Sequence, residues 1–331
     1  MSSAVPTTMK VIEMTGPGGP EVLKLGERPV PSIEPGEVLI RVAAAGVNGP
    51  DLMQRKGLYP PPAGASDLLG LEVAGEIVAV GSAVKRWQPG DKVCALTNGG
   101  GYAQYCAVDG EQCLPIPHGV DLRDAAGLPE TFFTVWSNLF IGVALKAGET
   151  LLVHGGAGGI GTTAIQLGKA FGCKVIATDS PESRCSICRD LGADRVIDYR
   201  QEDFVEVVRN EGGANAILDI VGGPNIERNF KAAAHDARIV QLAFPLGSKV
   251  DINLMPVMLK RLTYTGSTLR TRPSAFKART ARELEARVWP EIANGRIRVV
   301  TGQIFPLAQA AQAHALMESS QHVGKILLHI E

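Results

Sequence analysis

Two rhythms of apolar and polar positions divide the chain. From Lys10 to about Leu128, short apolar runs (Val38 to Val42, Gly75 to Val80, Lys92 to Leu96) are closed by turn clusters such as Glu34-Pro35-Gly36 and Gln88-Pro89-Gly90-Asp91. Strand-length runs bounded by proline and glycine predict a compact, mainly antiparallel β domain with few helices. From about Pro129 the rhythm becomes strand, then helix, repeatedly. Strands fit Leu151 to His154, Lys174 to Thr178, Arg195 to Asp198, Ala216 to Asp219 and Arg238 to Leu242. That alternation predicts a doubly wound parallel sheet with helices on both faces. Further on, Ala275 to Asn294 reads as a charged amphipathic helix, Leu307 to Ser319 as another, and Lys325 to Ile330 as a strand long enough to return to the first domain. The expected fold class is α/β, with a β domain of residues 1–128 and 273–331 around an inserted doubly wound domain of residues 129–272. Met1 to Thr8 read as a loose leader, with order starting near Met9.

The second domain is organised around ETLLVHGGAGGIGTTAIQLGKAFGCKVIATD, Glu149 to Asp179. Gly156, Gly158 and Gly161 complete a GxGxxG where strand gives way to helix. One glycine lets the backbone turn sharply, one lets it approach a pyrophosphate, and one lets helix and strand pack closely. Gly159 and Ile160 open that helix, whose unpaired N–H groups and positive dipole end favour an anion. Gly172 can supply the left-handed residue that ends it. Asp179 follows roughly 20 residues after the turn, where an adenosine ribose would present its hydroxyls.

Composition narrows the possible partners. The 331 residues leave room for two domains, and a net charge of -1 gives no footprint for nucleic acid or an anionic membrane. MSSAVPTTMK lacks the apolar core of a secretory signal, and no run approaches the roughly 20 apolar residues of a membrane span, which reads as cytoplasmic. The six cysteines are scattered, so a disulfide framework is not expected. Cys185 and Cys188 form a CxxC, but on a predicted helix with no second pair and no histidine nearby they read as small packing residues.

The residues resemble the zinc-free quinone oxidoreductase (zeta-crystallin-like) branch of the medium-chain dehydrogenase/reductase superfamily from about Met9 to the C-terminus. The resemblance is carried by GPGGPEVL (Gly16 to Leu23), AAGVNGPDLMQRKGLYPPP (Ala44 to Pro62), LGLEVAGEIVAVG (Leu69 to Gly81), GDKVCAL (Gly90 to Leu96), ETFFTVWSNLF (Glu130 to Phe140), the glycine turn and HVGKILLHI (His322 to Ile330). It implies a GroES-like β domain joined to a Rossmann domain, with the active site in the cleft between them. In zinc alcohol dehydrogenases of the superfamily a cysteine stands where Asn48 does and a histidine where Leu71 does. Asn48 and Leu71 cannot supply the Cys/His set of catalytic zinc, and the four-cysteine structural lobe near Leu96 to Gln112 is missing. No metal is expected. The reaction implied is hydride delivery from a reduced nicotinamide to a quinone or other conjugated carbonyl, whose developing charge is already delocalised.

By the resemblance, Asn48 faces the nicotinamide and acceptor, Asp51 fixes its loop, Tyr59 lines the quinone pocket, and Thr131 and Thr134 lie near the nicotinamide. Turn formation is the competing role for Asn48 and Asp51, anchoring of a proline loop for Tyr59, and helix initiation for the threonines. Leu242 to Pro245 and Ser267 to Leu269 would hold the carboxamide, with Phe244 either covering the ring or filling the core. Lys325 matches a cofactor-contacting C-terminal segment or is a solvated lysine. NADPH users in the branch commonly carry small residues, a serine and then a lysine after the second strand. Here Asp179 stands at the ribose position, with Pro181 in place of the serine and Arg184 in place of the lysine. Asp179 would accept from both ribose hydroxyls and repel a 2′-phosphate, whereas Arg184 and Tyr199 could receive one. The acid tips the reading slightly to NADH against the family's NADPH. A 2-enoyl thioester or enone reductase, and a non-catalytic dinucleotide-sensing or RNA-binding protein, are the alternatives. The resemblance also implies a homodimer, joined near Val250 to Gly266.

Overall fold

The structure, a computed structural model, describes residues 5–331. Met1 to Ala4 of the expected leader lie outside the described residues, and Thr8 already belongs to a strand. The first stretch of chain carries β1 (Thr8–Met14), β2 (Leu23–Pro29), β3 (Glu37–Val47), β4 (Glu72–Val80), β5 (Lys92–Leu96), β6 (Tyr105–Asp109) and β7 (Cys113–Pro115). A middle stretch carries β8 (Thr150–His154), β9 (Lys174–Asp179), β10 (Arg195–Asp198), β11 (Ala214–Asp219), β12 (Ala233–Gln241) and β13 (Thr263–Gly266), and the chain closes on β14 (Thr301–Pro306) and β15 (Lys325–His329). Two compact units result. One runs up to Phe133 and resumes at Arg270, and the other is Thr134–Leu269, a few residues from the boundaries read at 128/129 and 272/273.

In the first unit β1 and β2 form a hairpin, and seven strands form one sheet in the order β14-β15-β3-β4-β5-β7, with β6 also on β3. Central β3 is shared along one edge: Glu37 to Arg41 pair with β6, and Ala44 to Val47 with β15. This register sets Ile326 opposite Val47, so Lys325 arrives beside Asn48. On the other edge Val73 pairs with Ala45, which brings Glu72 over Gly46. A Cβ on Gly46 would stand 1.9 Å from Glu72 Oε1, so only glycine admits that carboxylate.

The second unit holds six parallel strands in the order β10-β9-β8-β11-β12-β13, the 3-2-1-4-5-6 order of a doubly wound dinucleotide-binding sheet. Its first strand, β8, is wholly buried. The side chains of Leu151, Leu152 and Val153 each contribute about 1.5–3 kcal/mol through burial.

The helices are α1 (Gly49–Arg55), α2 (Pro129–Val135), α3 (Gly159–Ala170), α4 (Glu182–Asp190), α5 (Phe204–Asn210), α6 (Asn225–Ala232), α7 (Met255–Leu259), α8 (Ser274–Arg287), α9 (Trp289–Ala293) and α10 (Ala310–Glu318). The single helix expected over Ala275 to Asn294 is two. Pro290 has no N–H to extend the ladder and restricts Trp289 before it, so α8 stops and α9 starts afresh. Among the described residues no helix is long and apolar enough to cross a membrane.

Candidate active site

In the first unit Asn48 sits between β3 and α1 as the helix cap. Its N–H donates to Asp51 Oδ2 (2.9 Å), and Asp51 Oδ1 accepts from Gly70 N (2.9 Å), so the carboxylate ties the loop to a second segment. Burial nevertheless pushes the Asp51 carboxyl up to about 6. The Asn48 side chain turns inward. Its Nδ2 donates to Glu72 Oε1 (2.9 Å), and its Oδ1 accepts from Lys325 Nζ. That ammonium lies 2.7 Å from Glu72 Oε1 and also donates to Val47 O (3.3 Å). Glu72 Oε2 takes the Glu130 N–H at 2.8 Å.

Two expectations change here. The Asn48 amide does not stand open to a ligand, because two buried charges need its donor and its acceptor. Lys325 is not a solvated lysine but half of an ion pair whose side chains are 6% and 0% exposed. Sequence reading missed Glu72, although a carboxylate inside the apolar run LGLEVAGEIV was a signal for a buried polar contact.

Tyr59, half-buried after α1, has the Arg270 guanidinium 5.8 Å from its ring centre. Arg270 donates to Asn98 O (2.9 Å) and Gln54 Oε1 (2.7 Å). Lys277 donates to Asn98 Oδ1 (2.6 Å) and Arg270 O (2.9 Å). These buried cations therefore rest on neutral oxygens, and burial lowers Lys277 to about 8. Burial, then the Glu72 carboxylate, raises Glu130 to about 8. Thr131 is buried, with its hydroxyl on Gly127 O at 3.4 Å. None of Glu130, Gln54, Arg270 and Lys277 was legible as a partner, because their contacts join segments far apart in sequence.

In the second unit the glycine turn forms at the carboxyl end of β8. Gly155 and Gly156 both donate to Thr178 O (3.0 Å), and Ala157 N donates to Asp179 Oδ2 (2.7 Å). Gly158 caps α3, so the amides of Gly159, Ile160 and Gly161 precede the first intrahelical bond, Thr162 N to Gly158 O. A Cβ on Gly161 would stand 2.2 Å from Gly155 O, whereas one on Gly158 would meet only that same oxygen, at 3.5 Å. Packing requires the first glycine, and the second faces open space. A Cβ on Gly156 would lie 2.6 Å from Cys188 Sγ. Cys188 and Cys185 are buried free thiols, and Cys188 fills the room beside the turn. Gly172, at φ +79°, closes the helix as expected.

Asp179 does not present a bare carboxylate to a ribose. Its Oδ1 accepts from Ser180 N (2.8 Å) and Arg184 Nε (2.7 Å), and its Oδ2 from Ala157 N (2.7 Å) and Arg184 Nη2 (3.3 Å). Four donors occupy roughly the four lone-pair sites of the carboxylate. The acid clamps the glycine turn and pairs with Arg184. Tyr199 N reaches Asp179 O at 3.3 Å while its ring is exposed.

The remaining positions of this unit gather at the same carboxyl edge of the sheet or at the unit's start. Thr134 is buried, and its carbonyl accepts from Asn138 Nδ2 (2.8 Å) and Ser137 Oγ (3.3 Å). Phe244, after β12, is exposed rather than a core aromatic and rests on the turn at Gly222, where a Cβ would come within 2.8 Å of its ring. Buried Asp219 holds that turn by accepting from Val221 N (2.6 Å) and Gly222 N (2.9 Å). Ser267 is half-exposed after β13, and Leu269 is buried as a core side chain.

Residues 34–118 match the family model described as the alcohol dehydrogenase GroES-like domain, and residues 159–286 the one described as zinc-binding dehydrogenase. A quinone oxidoreductase of Pseudomonas aeruginosa is 33% identical over 327 residues, covering 96% of this chain and 99% of its own. The chain belongs to the quinone oxidoreductase branch of the medium-chain dehydrogenase/reductase superfamily. The human member, also a quinone oxidoreductase, is 30% identical over 328 residues, 97% of each chain. Among solved structures, the Escherichia coli quinone oxidoreductase complexed with NADPH superposes with a TM-score of 0.85 at 30% identity, covering 97% of this chain and 99% of that one.

Against this family background, the open space over Gly158 and the three leading amides of α3 fit a dinucleotide pyrophosphate. Where the superfamily's zinc enzymes carry a cysteine and a histidine, Asn48 offers a carboxamide and Leu71 a buried aliphatic chain. Among the described residues no group of three or more His, Cys, Asp or Glu side chains could hold a metal ion.

Proposed function

We propose that this protein is an NAD(P)H-dependent quinone oxidoreductase that works without zinc, passing a hydride to a quinone or a related conjugated carbonyl. The observation that carries the reading is the glycine cradle open at Gly158, in a chain that a quinone oxidoreductase matches over 96% of its length. A bound reduced nicotinamide supplies the hydride. The amides of Gly159 to Gly161 hold the pyrophosphate, and Phe244, with Ser267 beyond it, borders the place of the nicotinamide. Tyr59 offers a flat acceptor a ring to stack on and a hydroxyl to donate. Lys325, Glu72 and Asn48 keep the loop before α1 fixed, so positioning and exclusion of water replace Lewis-acid help. Enzyme dialysed against a strong chelator should keep full quinone-dependent NADPH oxidation. Loss of activity that returned only with added zinc would overturn the zinc-free assignment.

Choice between NADH and NADPH rests, in this proposal, on the Asp179–Arg184 pair. With the acid neutralised, its repulsion of a 2′-phosphate is blunted and Arg184 stands beside the place of the ribose, so both dinucleotides serve. Arg184→Ala should raise KM for NADPH about 10–100-fold, the worth of a charge-assisted hydrogen bond, and that for NADH by less than threefold. Equal loss for both would show that the pair only braces the turn.

A homodimer is part of the same reading. Strand β13 is an edge, and Tyr264 on it and Leu254, Met255, Met258 and Leu259 before it are exposed apolar side chains, a surface suited to a second copy. Light scattering should give twice the chain mass, and Met258→Glu with Leu259→Glu should give a monomer.

A further inference from the structure

The cluster around Glu72 contains three carboxyl groups, and they differ in access. Asp51 and Glu72 are 1% and 0% exposed, while Glu130 is only half-buried as a residue, with protein packed around its carboxyl group. Glu130 is held in place through its backbone, whose N–H is fixed by Glu72 Oε2 at 2.8 Å, at the first turn of α2. The groups that bear on it come from every neighbouring segment: Glu72 of β4, Asp51 of α1, Lys325 of β15, Lys277 of α8, and Tyr59 and Arg270 through their fields.

We propose that Glu130 is the acid that protonates the reduced acceptor. This rests on the quinone reductase reading and adds a proton source to it. The acceptor takes up a hydride, one proton with an electron pair, and becomes an oxyanion. The Glu130 O–H bond then breaks, a new O–H bond forms on that oxygen, and solvent water returns a proton to the carboxylate. Asp51 and Glu72 are sealed from an acceptor, which leaves Glu130, fixed at its backbone and the least buried of the three, as the carboxyl suited to meet one. Its acidity suits the task. Burial and the Glu72 charge hold it at about 8, so it is protonated at neutral pH and still a competent donor. The buried cations Arg270 and Lys277 favour the negative charge that develops beforehand.

The test compares wild type, Glu130→Gln and Glu130→Asp with 1,4-benzoquinone and a simple enone. Because the acid is neutral in the folded protein, glutamine replaces it with little change of shape or charge. Glu130→Gln should lower kcat about 100-fold with acceptor KM within threefold, and Glu130→Asp should recover part of the loss. Wild-type kcat should be level at neutral pH and fall as pH rises through about 8, since only the protonated form donates, and the glutamine variant should lack that limb. Infrared titration of the protein without cofactor should show a protonated carboxyl at pH 7 that Glu130→Gln removes. Turnover of the glutamine variant within threefold of wild type, or an unchanged carboxyl band, would overturn the assignment while leaving the reductase reading intact. A wild type that oxidises no dinucleotide with any quinone would end both.

Discussion

Replacing Lys325 with methionine should destabilise the protein by about 3–5 kcal/mol, the loss expected when one partner of a buried ion pair is removed. The variant strands the Glu72 carboxylate, 0% exposed, with only the Asn48 amide and the Glu130 N–H for company. Desolvation of that charge, rather than the lost attraction, dominates the cost. Pairing Lys325→Met with Glu72→Leu should therefore recover most of the stability in urea unfolding, although Asn48 then loses both of its side-chain partners. A single-variant loss below about 1 kcal/mol would mean that water reaches the pair.

The glycine turn gives a second large effect, one that separates binding from folding. Gly158→Ala places a methyl group in open space at a backbone angle that alanine adopts freely, so thermal stability should hold within about 0.5 kcal/mol. The methyl occupies the room proposed for the pyrophosphate, and dinucleotide affinity should fall about 100-fold. Gly161→Ala instead drives a Cβ to 2.2 Å from Gly155 O and 2.6 Å from Gly156 Cα, and these are backbone atoms with nowhere to go. Both stability and affinity should drop, stability by about 2 kcal/mol or more. Calorimetry and fluorescence titration of the two variants side by side read the difference. Unchanged affinity in Gly158→Ala would place the phosphates elsewhere.

Local pattern was enough for the sheet of the second unit, because its strands are short apolar runs bracketed by glycines and helical spacing. Arg195 to Asp198 matches residue for residue, as does Lys92 to Leu96 in the first unit. Where pairing partners decide, the pattern falls short. Strand β3 continues past Val42 through Ala43, Ala44, Ala45 and Gly46, weak strand formers kept extended by β4 and β15 on either side.

The candidate site shows the same divide. The loop of Asn48, the turn glycines and Asp179 were legible as positions, but their partners were not. Asn48 meets Glu72 and Lys325, respectively 24 and 277 residues away, and Asp179 spends an oxygen on Ala157, 22 residues back. Those bonds set the local geometry: they turn the amide inward and pair with Arg184 the acid that argued for NADH.

The most direct test of the central claim is anaerobic stopped-flow mixing of the protein with NADPH, NADH or their 4-deuterated forms and 1,4-benzoquinone. The account predicts oxidation of one dinucleotide per hydroquinone formed, slowed by deuterium at one face of C4 and indifferent to chelator. Dinucleotide that binds tightly yet stays reduced in the presence of quinone would contradict it.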